Sequence, residues 1–215
     1  MQLILDEKKT VLSLMRWIIY FCILMVCVFS MWHFATLYKE TTFEEYGIIE
    51  DLQLIILGIT SLSFLVQACI KTHFRALSLF LSSLCLAAFC RELDTWFDEL
   101  WFLGWKFALI FPVLAFIYIC YHLDEFRKSL PRFCSSSAFF MMYSVAIIIL
   151  PLAQCVGHKS FFVDALGPIA DPRLVRRLFE ESVEYLGYIL LFLSSIEFYI
   201  ALIRNEPKHL FRKIK

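Results

Sequence analysis

Apolar runs such as Val11 to Tyr38 and Ala138 to Val156 are long enough to cross hydrocarbon as α-helices, which need about 20 residues to span ~30 Å. In lipid every backbone N–H and C=O must be satisfied within the protein, so only helices or a closed barrel can make such crossings. Porin-like alternation is absent. With 60% hydrophobic residues in a chain of 215 and a mean hydropathy of +0.73, the expected fold class is all-α, a polytopic membrane protein.

Six spans fit the pattern best, at about 11–38, 46–69, 76–95, 100–121, 137–156 and 178–203. The third draws Arg91, Glu92 and Asp94 into the outer part of the bilayer, because only Ala76 to Cys90 is cleanly apolar. The first is too long for a signal-peptide core, and no small-residue cleavage site follows Tyr38. Connections are short and no Gly/Ser-rich linker intervenes, so residues 1–215 are expected to form a single integral membrane domain.

Basic residues fix the expected orientation. Lys8, Lys9 and Arg16, then Lys71 and Arg75, then Arg127, Lys128 and Arg132, and finally Arg204, Lys208, Arg212, Lys213 and Lys215 fall on one side. That side should be the cytoplasm, placing both termini inside. Short loops and the lack of targeting signals point to a bacterial inner membrane. Balanced formal charge, with 20 basic and 20 acidic residues, speaks against a nucleic-acid binder. The expected partners are the lipid bilayer and either another protein chain or a second copy.

Carboxylates at membrane depth carry the functional signal, since an acid in hydrocarbon is costly unless it is paired, hydrated or metal-bound. On the third span Arg91, Asp94 and Asp98 share one face, whereas Glu92 is expected to point elsewhere. On the sixth, Arg177, Glu181 and Glu184 share a face, and Glu180 pairs with Glu184 at i, i+4. On the second, Glu50 and Gln53 share a face, with Asp51 turned away. Acids outnumber Arg91, Arg176 and Arg177, so some must hold protons, meet water or bind a cation. Nearer the other end, Glu197 on the last span and Arg16 on the first are placed to pair.

Two plainer readings stand beside this one. Helix ends at an interface are often acidic and solvated, and Trp17, Trp32, Trp96, Trp101 and Trp105 suit an aromatic belt. Eight scattered cysteines without a Cys-x-x-Cys pair read as small hydrophobes. No metalloprotease, nucleophile-elbow or P-loop motif occurs, and no catalytic residue is assigned.

The expected function is therefore binding or passage of a proton or cationic species. Glu50, Asp94, Glu181 and Glu184 would be the binding groups; Arg91, Asp51, Gln53, Glu92, Arg177, Glu180, Glu197 and Arg16 would support them. A divalent cation is the cofactor such an acid surplus would accept. One alternative is a small membrane hydrolase or transferase acting on a lipid-linked substrate. Another is a non-catalytic subunit, anchor or sensor of a larger complex.

Overall fold

A computed structural model describes residues 2–38, 42–43, 47–93, 104–158, 161 and 172–204. All secondary structure among them is helical: α1 (Gln2–Tyr38), α2 (Ile48–Ile70), α3 (Arg75–Glu92), α4 (Ile110–Tyr121), α5 (Leu123–Cys134), α6 (Ser137–Ile147) and α7 (Pro172–Arg204). A 3-10 segment, Gly104–Leu109, leads into α4, and a π-helical turn, Ile148–Ala153, continues α6 into Gln154–Val156. Among the described residues, five stretches are long and apolar enough to cross a membrane, or six if the bent pair Lys106–Tyr121 and Leu123–Cys134 counts as one. Helices of this length and hydropathy are those of a membrane protein.

The termination signals are local. Pro151 lies inside the π-helical turn, where a residue lacking an N–H cannot complete the α-helical ladder and the register widens by one. Pro112 falls in the first turn of α4, where that N–H is not needed. Ser136 caps α6, accepting from the Phe139 N–H at 3.4 Å. A 3-10 turn, Thr72–Phe74, joins α2 to α3, and the Glu125 carboxylate accepts from the Ala76 N–H at 3.1 Å. That bond ties α5 to the positive end of α3.

Helix directions follow from contacts between named residues. Ser61 and Ser82 bond reciprocally to each other's carbonyl, at 3.1 and 2.8 Å, holding α2 and α3 close and antiparallel. Gln53 meets Glu181 and Gln67 meets Ser195, a constant offset, so α2 and α7 run parallel. Ser137 meets Glu197 and Ile149 faces Gly187, making α6 antiparallel to α7. Arg16 pairs with Glu197, so the first half of α1 lies beside the last part of α7. Thus α1, α3 and α6 share one direction and α2 and α7 the other.

Two buried clusters fill the interior. Phe64, Phe74, Leu81, Phe133 and Phe198 pack where α2, α3, α5 and α7 meet, with Phe133 and Phe198 edge to face at 5.2 Å. Tyr20, Ile49, Tyr185, Ile189 and Leu193 form the second, between α1, α2 and α7. Helix α1 is peripheral: only 6% of its apolar window is buried, against 50% for α7. Its exposed Phe21, Val26, Phe29 and Trp32 suit lipid.

The approach of α7 to the π-helical turn depends on Gly187. A Cβ there would come within 2.7 Å of Ile149 Cγ1, tighter than packed side chains allow. Gly187→Val should lower the thermal stability of the purified protein by roughly 1–3 kcal/mol. Adding Ile149→Ala should recover part of it; a double variant no better than the single would mean that the helices do not meet at this point.

Candidate functional site

Where α3 ends and α7 enters the bundle, one guanidinium gathers two helices. Arg91 Nη2 donates to Glu184 Oε1 at 2.7 Å and to Glu92 Oε1 at 2.8 Å, and Arg91 Nε reaches the same Glu92 oxygen at 3.2 Å. Tyr188 donates its hydroxyl to Glu92 Oε1 at 2.6 Å and lies 3.4 Å from Arg91 Nη2. One turn earlier on α7, Glu181 receives the Gln53 side-chain amide on its carboxylate at 3.1 Å and on its backbone carbonyl at 3.2 Å. Helices α2, α3 and α7 each contribute.

Burial separates the members. Glu184, Tyr188 and Gln53 are buried, while the Arg91 side chain stays 34% exposed and Glu92 only 10%. The arginine is thus the accessible member of an otherwise buried group. Two carboxylates, Glu92 and Glu184, share the Arg91 guanidinium, and Glu181 stands beside them with the Gln53 amide as its partner. Glu50 acts electrostatically on Glu181, and Glu180 on Glu184.

The sequence-predicted residues divide accordingly. Glu181, Glu184, Gln53 and Arg91 come together. Glu92 joins them, contrary to the expectation that it points elsewhere: α3 ends at this residue, and the long arginine side chain folds back onto its neighbour's carboxylate. Glu50 is half-buried at the edge, and Asp51 is exposed. Glu180 packs beside Gly157, where an added Cβ would meet its carboxylate at 2.6 Å. Arg177 is half-buried on the first turns of α7, and Arg176 donates to the Gly157 carbonyl at 3.4 Å. Asp94, together with Asp98, Trp96 and Trp101, lies outside the described residues. Among the described residues, no three His, Cys, Asp or Glu side chains are placed to hold a metal ion, so the divalent-cation expectation finds no ligand set there.

Near the other end of α7, Arg16 and Glu197 form an ion pair, with the Glu197 side chain 2% exposed. Ser137 donates its hydroxyl to the second Glu197 oxygen at 2.7 Å, and Tyr20 lies beside the same carboxylate. Between the two ionic sites runs a buried polar seam. Gln67 donates to Ser63 Oγ and to the Ser195 carbonyl, both at 3.1 Å, and Ser194 donates to the Ala138 carbonyl at 2.8 Å. The side-chain oxygens of Gln53 and Gln67 are buried and make no hydrogen bond within the described protein.

Sequence reasoning missed Tyr188 and Gln67, although a signal existed. Gln53, Thr60 and Gln67 recur every seven residues on α2, and Glu181, Tyr188 and Ser195 do so on α7. Two seven-residue polar repeats at matching offset mark facing stripes of parallel helices.

No protein-family model, curated protein or solved structure matches the chain.

Removing the shared cation should expose how the site is held. Arg91→Gln leaves Glu184 buried beside Glu92 without a counter-charge, a loss of roughly 3 kcal/mol, at the low end for a broken buried pair because the arginine is partly solvated. Thermal unfolding in nanodiscs should show it, and Arg91→Gln with Glu184→Gln should melt higher than the single variant. Additive losses would show that the two side chains do not interact.

Proposed function

We propose that residues 1–215 form one six-span bundle with both termini in the cytoplasm, and that the Arg91–Glu184 site binds or passes a proton or a small cation from the outer side. The observation that carries this reading is the charge imbalance: two carboxylates, Glu92 and Glu184, share one guanidinium, and a third, Glu181, is held one turn away only by the neutral Gln53 amide. Desolvated carboxylates that outnumber their counter-charges favour uptake of a positive species. Glu181 and Glu184 would receive it. Arg91 and Tyr188 would hold Glu92 and Glu184 in place, and Gln53 would orient Glu181.

Six crossings are supported by helix direction. Because α3 and α6 run the same way, the chain must return between them, and Gly104–Tyr121 is the described helical segment available to do so. A count that omitted it would set α7 antiparallel to α2, whereas the Gln53–Glu181 and Gln67–Ser195 contacts make them parallel. The basic bias of alternate connections supports cytoplasmic termini, and a bacterial inner membrane is the setting this architecture suits.

A route across the bundle would use the seam. The unpartnered oxygens of Gln53 and Gln67 are acceptors that water would satisfy, since a buried polar atom left unbonded is costly. Glu197, held by Arg16, would form the inner station.

Two experiments test the proposal. Impermeant thiol labelling of single cysteines should place residues near positions 71, 127 and 213 on one side and residues near 42 and 164 on the other; 127 and 164 on the same side would refute six spans. In liposomes loaded with a pH-sensitive dye, the wild-type chain should admit protons or exchange them for a cation. Glu181→Gln and Glu184→Gln should reduce the flux at least about tenfold, as loss of an essential proton carrier does, while the exposed Asp51→Asn should not. Flux indistinguishable from empty liposomes would discard transport in favour of the subunit or sensor alternative.

A further inference from the structure

The α5 arm is the one described helix that combines an apolar packed side with an exposed basic side. Its axis turns 107° from the preceding helix. Seen down the axis, Phe126, Ser129 and Phe133 point into the bundle, where Ser129 and Phe133 are buried. Leu123 and Leu130 flank that side and are exposed, at 40% and 37%. Arg127, Lys128 and Arg132 occupy the rest of the circumference and are exposed. Glu125 is engaged at the Ala76 N–H, so Asp124 is the acid left on the charged arc.

We propose that α5 lies in the membrane interface and binds the headgroups of anionic phospholipids through Arg127, Lys128 and Arg132. The inference rests on the six-span reading: if Gly104–Tyr121 crosses the bilayer, a 107° turn lays α5 nearly parallel to its surface. Helices of this kind sink their apolar side to the acyl boundary and extend basic side chains among the headgroups. The two exposed leucines beside the basic arc match that boundary, and an acidic soluble partner would leave them unexplained. The neighbouring turn contacts α5 and brings Lys71 and Arg75 to the same end, where anionic lipids add attraction for each basic group. Phe133 in the core and Glu125 on α3 clamp the arm, so lipid binding there bears on the α3–α7 bundle.

Hydrogen exchange over residues 123–134 tests this in the full chain, in nanodiscs of phosphatidylcholine with and without phosphatidylglycerol. The wild-type arm should exchange at least about fivefold more slowly with the anionic lipid, the weight of one basic side chain near a charged surface, and added salt should remove the difference. Arg127→Gln with Lys128→Gln and Arg132→Gln should abolish the lipid effect while melting like wild type in phosphatidylcholine, because these side chains are exposed. A lipid effect that survives the triple substitution overturns the basic-face assignment. Equal, measurable exchange in both lipids overturns lipid binding alone, and complete protection in both buries α5 within a span and overturns the topology too.

Discussion

The Arg91 guanidinium is the contact on which the Glu184 end of the bundle depends. Helices α3 and α7 bring Glu92, Glu181 and Glu184 into one apolar neighbourhood, and without a shared cation their mutual repulsion and desolvation would oppose the packing of Tyr188, Gln53 and Ile49 around them. Arginine suits this role better than lysine, because its planar fork offers several donors to two carboxylates at once. Glu197 imposes the same constraint at the other end, and Arg16 meets it. The two arginines act differently: Arg91 reaches between α3 and α7, whose backbones do not approach closely, whereas Arg16 attaches a helix with little buried surface of its own.

Much of the architecture was legible because hydrocarbon leaves few choices. The stretch 137–156 coincides with the apolar span Ser137–Val156. Other boundaries shifted for physical reasons. The expected third span, 76–95, ends as α3 at Glu92, where Arg91 and Glu92 turn to the site instead of continuing outward. The basic connection after Tyr121 is a helix tied down by Phe133 and Glu125; its amphipathic pattern is short, and these tertiary contacts are invisible in sequence.

The candidate site was half legible. Charge in an apolar run identified Glu181, Glu184 and Arg91, because each is expensive where it stands. Helical spacing misled for Glu92, since periodicity assumes that side chains project radially while a guanidinium on a long stem reaches an adjacent residue. Tyr188 and Gln67 were hidden by chemistry: neutral polar groups cost less in lipid than charges and are common in membrane helices. Their seven-residue recurrence, rather than their polarity, was the informative property.

That recurrence links fold to chemistry. Parallel helices in constant register keep the same faces opposed along their length, so a polar stripe on α2 meets a polar stripe on α7 from Gln53–Glu181 to Gln67–Ser195. An antiparallel pair with the same stripes could match them too, but it would bring the Gln67 end of α2 to the carboxylates and leave Gln53 beside Ser195. The direction of α7, set by how often the chain crosses before reaching it, therefore determines which glutamine holds Glu181. In the proposed six-span reading, the segment Gly104–Tyr121, which carries none of the site's acids, is what gives α7 the direction in which the site assembles.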